Sequence, residues 1–162
     1  ANEAQAKGVC QAANDNDPSQ VVISGEKSAV EVAIELAKNS GAKRAIMLPV
    51  SAPFHCELMA PAAEKMSIEL ENTKIEKPIV PIVSNVSAQA ISDPAEIKEL
   101  LVSQVTGSVR WRESILWMAK NNVDEIWEIG SGKALSGMIR RIDRNISLKN
   151  VSSPEDIRTV NF

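Results

Sequence analysis

The sequence contains no tyrosine, three tryptophans and two phenylalanines, so aromatics are 3% of 162 residues and any core must be aliphatic. It contains one histidine and two cysteines. Cys10 and Cys56 stand far apart and form no Cys-x-x-Cys, so no metal ligand set at zinc spacing exists and none is expected. Two free thiols fit a cytoplasmic protein. The net charge of −3 argues against a nucleic-acid partner. No apolar run approaches the roughly 18–20 residues that cross a bilayer, so no membrane partner is expected. No basic-then-apolar leader opens the chain. A Gly-x-Ser-x-Gly elbow, which presents a nucleophilic serine on a strained turn, is also absent.

What is present reads as an α/β protein. Apolar content is 44%, enough for one medium domain or part of a larger one. The chain opens on Ala1 rather than Met, in what reads as the last turns of a helix closed by Gly8, which points to a fragment. Residues 9–13 and 20–24 read as strands around a polar turn cluster at 14–19. A helix is expected over 26–38, because Ala29, Val32, Ala33, Leu36 and Ala37 share one helical face. Residues 44–50 read as a short buried strand stopped by proline. Residues 1–50 thus resemble an incomplete ferredoxin-like small subdomain, and 51–162 part of a larger core.

Beyond residue 50 a helix is expected over 61–71, with Ala62, Met66 and Leu70 buried. Residues 79–85 are strand-like, although Pro81 weakens a ladder. Asp93-Pro94-Ala95-Glu96 is a helix start, with Asp as cap and Pro in the first turn. Further helices are expected over 111–121, with Trp111, Ser114, Ile115 and Met118 on one face, and from Leu135 to Ile142. A buried strand is expected at 123–129, and 148–162 adds a strand and a short helix. Strands alternating with helices argue a mostly parallel sheet.

His55 is the residue of chemical interest. It lies in Leu48-Pro49-Val50-Ser51-Ala52-Pro53-Phe54-His55-Cys56, on a loop stiffened by two prolines just past a strand end, where α/β proteins collect functional groups. Histidine titrates near neutrality, so it suits proton transfer. The bland alternative is a structural, hydrogen-bonded histidine. Cys56 beside it could be a nucleophile, but free cysteines are more often small buried hydrophobes. Gly130-Ser131-Gly132-Lys133 imitates a phosphate loop and fails, since Trp127 and Ala134 stand where a glycine and a hydroxyl are required. Arg140, Arg141 and Arg144 read as cations complementing a helix C-terminus. A histidine base needs a nucleophile, and here the serine must lie on other chain.

Five stretches, in order and spacing, resemble bacterial malonyl-CoA:acyl-carrier-protein transacylases, in their C-terminal half only. They are Ala13-Asn14-Asp15-Asn16 with Gln20-Val21-Val22-Ile23-Ser24-Gly25, the Pro49-Val50-Ser51-Ala52-Pro53-Phe54-His55 loop, Pro81-Ile82-Val83-Ser84-Asn85, Val109-Arg110-Trp111, and Glu128-Ile129-Gly130-Ser131-Gly132-Lys133. The resemblance implies a partial acyltransferase fold with a mostly parallel hydrolase-like sheet. It implies malonyl transfer from malonyl-CoA to the acyl carrier protein through a Ser–His dyad, with no cofactor beyond that substrate. His55 would be the dyad base, Gln104 would orient it through its backbone carbonyl, and Asn14, Asn16 and Phe54 would face the acyl pocket. The serine, a carboxylate-binding arginine and an oxyanion glutamine would lie in the missing N-terminal half, so the chain alone is expected to be inactive and poorly soluble. Ser19 departs from the family glycine, which puts a positive-φ turn in question. The alternative is a non-catalytic half-length paralogue serving as a binding or scaffold module. An unrelated serine hydrolase is disfavoured, since those orient the histidine with a carboxylate.

Overall fold

The computed structural model describes residues 1–159. Two strands, β1 (Cys10–Asp17) and β2 (Gln20–Gly25), form an antiparallel hairpin. Residues 14–17, expected as a turn, instead extend β1, leaving only Pro18-Ser19 to turn the chain. Ion pairs supply the reason: Asp15 and Asp17 bind arginines on distant helices, which offsets the low strand propensity of polar residues. At Ser19, φ is not positive. Its N–H and hydroxyl both donate to Asp17 Oδ1, at 2.9 and 2.7 Å, so a side-chain turn replaces the glycine turn.

Helix α1 (Lys27–Asn39) packs Ala29, Val30 and Ala33 onto Cys10 and Ala4, with Ile23, Val32, Ile34 and Leu36 around them. The buried face is thus rotated slightly toward Val30. Gly25 admits no side chain, since a Cβ there would lie 2.0 Å from the Val9 carbonyl oxygen.

After α1 the expectation of a buried strand fails. Residues 44–50 pair with no strand among the described residues, and Ile46 and Val50 are 53% and 64% exposed. An apolar run becomes a strand only where a neighbour takes its N–H and C=O groups. Helix α2 (Ala60–Glu71) likewise buries none of its residues: it packs mainly against one helix, α3 (Pro94–Thr106), and Met66 is exposed. At 79–85 only β3 (Ile82–Val83) forms, antiparallel to β4 (Ala90–Ile91). Helix α3 starts as expected, with Asp93 Oδ1 accepting from the N–H of Ala95 and Glu96, both at 3.0 Å.

The second core lies between α4 (Trp111–Lys120), β5 (Glu125–Ile129), α5 (Ala134–Ile142) and β6 (Ser147–Val151). Ile115, Ile139 and Ile146 are its centre, surrounded by Trp111, Met118, Ile126, Ile142 and Leu148. β5 and β6 pair in parallel, but β5 is not buried, with Ile129 76% exposed. Helix α6 (Pro154–Thr159) follows β6, and the remainder of that expected segment, 160–162, lies outside the described residues. The α/β class therefore stands, while among the described residues the sheet is discontinuous: two antiparallel pairs, one parallel pair and an isolated parallel bridge between Asn14 and Val109. No helix among the described residues is long and apolar enough to cross a membrane.

Candidate active site

His55 sits in the left-handed region, at φ 60°. Histidine tolerates that region better than most residues, yet it persists only where surroundings impose it. Two contacts do so. The buried Cys56 thiol donates to the Pro53 carbonyl at 3.1 Å, and His55 Nδ1 lies 2.8 Å from the Gln104 carbonyl oxygen. Cys56 is therefore a clip across the loop rather than an exposed nucleophile. Next along the chain, the Glu57 N–H donates to Gln11 Oε1 at 2.7 Å, pinning the loop to β1.

The Gln104 oxygen can only accept, so Nδ1 of neutral His55 carries the proton and Nε2 keeps a lone pair. The acceptor is available because Gln104 lies in the last turn of α3, where backbone carbonyls lack helical partners. His55 is half-buried and can meet a ligand.

The other expected site residues are placed differently. Asn14 and Asn16 lie half-buried on β1, and among the described residues their side chains form no hydrogen bond. Their neighbours Asp15 and Asp17 are engaged. Asp15 receives Arg112 through two guanidinium nitrogens, and Asp17, 1% exposed, receives Arg141 at 2.8 Å. Arg141 thus holds the hairpin rather than merely complementing its helix end. Burial alone would push the Asp17 carboxyl up, but Arg141 and Ser19 outweigh it and hold it below the usual carboxylate range. Phe54 is 52% exposed beside His55.

The backbone joins these pieces. Val109 donates to the Ala13 carbonyl and accepts from the Asp15 N–H, at 2.8 and 2.9 Å, so the α3–α4 connection runs along β1. The Glu128 carboxylate caps α5, accepting from the N–H of Leu135 and Ser136, at 3.0 and 2.8 Å, and from Asn150. These bonds with Ser136, Leu135 and Asn150 outweigh its burial and lower its pKa. The Gly130-Ser131-Gly132-Lys133 segment is thus the turn before a capped helix. Sequence reasoning missed the arginine clamps and this cap. The clamps' one signal was the pair of aspartates, Asp15 and Asp17, in the polar cluster, and the Glu128 cap had none.

No protein-family model matches the chain. It is 49% identical to the malonyl CoA-acyl carrier protein transacylase of Bacillus subtilis over 147 residues, which is 91% of this chain and 46% of that protein. An acyl-carrier-protein S-malonyltransferase structure from Bartonella henselae superposes with a TM-score of 0.94 at 51% identity, covering 98% of this chain and 50% of that one. A malonyl transacylase solved in complex with its type II PKS acyl-carrier protein gives 0.93 at 38% identity, covering 98% and 51%. The chain spans about half the length of the curated relatives it matches. In sequence and fold alike, the chain is similar to about half of the malonyl CoA-acyl carrier protein transacylases, and a C-terminal fragment of one fits these matches.

Proposed function

We propose that this chain is the histidine-bearing half of an acyltransferase that moves malonyl from malonyl-CoA to an acyl carrier protein in fatty acid biosynthesis, acting in the cytoplasm without a further cofactor. The observation that carries the reading is the His55 ring, held by the Gln104 carbonyl through Nδ1 with Nε2 left as a base. A serine from the complementary half attacks the thioester carbonyl while Nε2 takes its proton. The carbon–sulfur bond breaks, the imidazolium returns the proton to the departing coenzyme A thiolate, and the acyl-serine remains. The carrier thiol then repeats these steps in reverse. Asn14, Asn16 and Phe54 line the acyl side in this reading, with residues 1–50 as the small subdomain and 51–162 as part of the core.

Without a serine elbow the chain alone is inactive. The test mixes it with the N-terminal half of a bacterial malonyl transacylase, malonyl-CoA and carrier protein, and follows malonyl-carrier by mass. Activity should require both halves and fall about 10²–10⁴-fold in His55→Ala, the usual worth of a general acid–base. No activity from folded, associated halves would sink the reading in favour of a non-catalytic module, which the lack of a Gly-x-Ser-x-Gly in these 162 residues already accommodates.

A further inference from the structure

The Gln104 carbonyl orients His55 only if Gln104 itself is fixed, and it lies in the last turn of α3, where helices fray. The side chain supplies the missing constraint. Gln104 Oε1 accepts from Asn85 Nδ2 at 3.2 Å. Asn85 follows β3, in a loop closed on itself by the Ser84 N–H to the Gln89 carbonyl at 3.0 Å and the Ala88 N–H to the Ser84 carbonyl at 2.9 Å. Arg110 then locks this loop from the other side. Its N–H donates to the Asn85 carbonyl at 2.8 Å, and its Nη1 to the carbonyls of Val86 and Ser87, both at 3.1 Å. Glu113 pairs with the remaining guanidinium edge and so aims it.

We propose that Asn85, held by Arg110, is a positioning residue for His55: it fixes Gln104 by its side chain so that the Gln104 carbonyl holds the imidazole in one tautomer. An anchor for the side chain is not needed if the carbonyl is merely a helix-end acceptor. The two possibilities differ in a way substitution can read. Gln104→Ala keeps the carbonyl and removes the anchor. Gln104→Glu keeps an oxygen that accepts from Asn85.

His55 is the only histidine, so ring nitrogen NMR of the 162-residue chain reports it without assignment. In its neutral form, the ring of the unsubstituted chain should be a single Nδ1–H tautomer. Gln104→Ala and Asn85→Ala should each give a mixture with the Nε2–H form, the double variant should add nothing further, and Gln104→Glu should restore the single form. In the reassembled enzyme, kcat should fall about threefold to tenfold in Gln104→Ala, the scale of one hydrogen bond, with KM unchanged. A ring spectrum unchanged in Gln104→Ala overturns the proposal. Should Asn85→Ala unfold with its loop, the Gln104→Ala spectrum decides alone. The kinetic arm rests on the acyl-transfer reading but the spectrum does not. A tautomer response beside an inactive unsubstituted reassembly rejects acyl transfer and keeps the brace, and activity with an unresponsive ring does the reverse.

Discussion

Residues 10–25 and residues 44–50 carry comparable strand signals, yet only the first stretch becomes a ladder. The hairpin has an antiparallel partner, a helix across its apolar side and two arginines for its aspartates. The second stretch is richer in apolar residues for its length but pairs with no strand among the described residues, and it stays irregular and largely exposed. Composition therefore did not decide between them. A strand is a relation between two segments, and the polar one found its relation within the chain.

That contrast can be broken most strongly by supplying a neighbour. Adding the complementary half should slow amide exchange across 44–50 by roughly a hundredfold or more, while amides in 10–25 change little. Unchanged exchange at 44–50 in a proven complex would mean that this stretch is irregular by nature. Next in size is Asp17→Ala. It strips the hairpin of a buried acceptor and should cost about 2 kcal/mol in urea unfolding, less than a fully buried pair because Arg141 is half-exposed.

The same carboxylate makes a pH prediction. Its folded pKa lies below its unfolded one, so the stabilisation is complete above about pH 5 and drains away as pH falls through the folded value. Asp17→Asn should flatten that acid limb of the stability profile. Arg112→Ala removes the clamp on the more exposed aspartate and should lower the urea midpoint by less than Asp17→Ala does. The smallest effect is expected at Ile79, 102% exposed: Ile79→Ser should leave the stability of this chain within about 0.5 kcal/mol. The same change should weaken association with the other half, which pull-down with a purified N-terminal half would register.

Local signals were the readable part. The cap at Asp93, the Ile115 face of α4 and the faces of α1 and α5 follow from spacing within a few turns. The lone histidine on a proline-stiffened loop announced itself in the same way. Gln104 acts through a backbone carbonyl, which every residue type owns, so only the family resemblance singles it out. Asn85, Arg112 and Arg141 meet partners 19, 97 and 124 residues away, and no local pattern encodes such distances. The overestimates at 44–50, Met66 and 123–129 share one cause. Apolar periodicity says which face seeks cover, not whether the cover is in the same chain.

The arginine clamps also set an order of events in time. The hairpin can zip as soon as residue 25 is available, because its two strands are joined by a two-residue turn. Arg141 follows Asp17 by 124 residues, which at the ~5–20 residues per second of synthesis is roughly 6–25 s. Through that interval Asp17 has only its local Ser19 donors, and the Arg141 contact that docks the hairpin can close only after residue 141 has been made. Its registry against α4 and α5 becomes a checkpoint that closes only when the second core has been made.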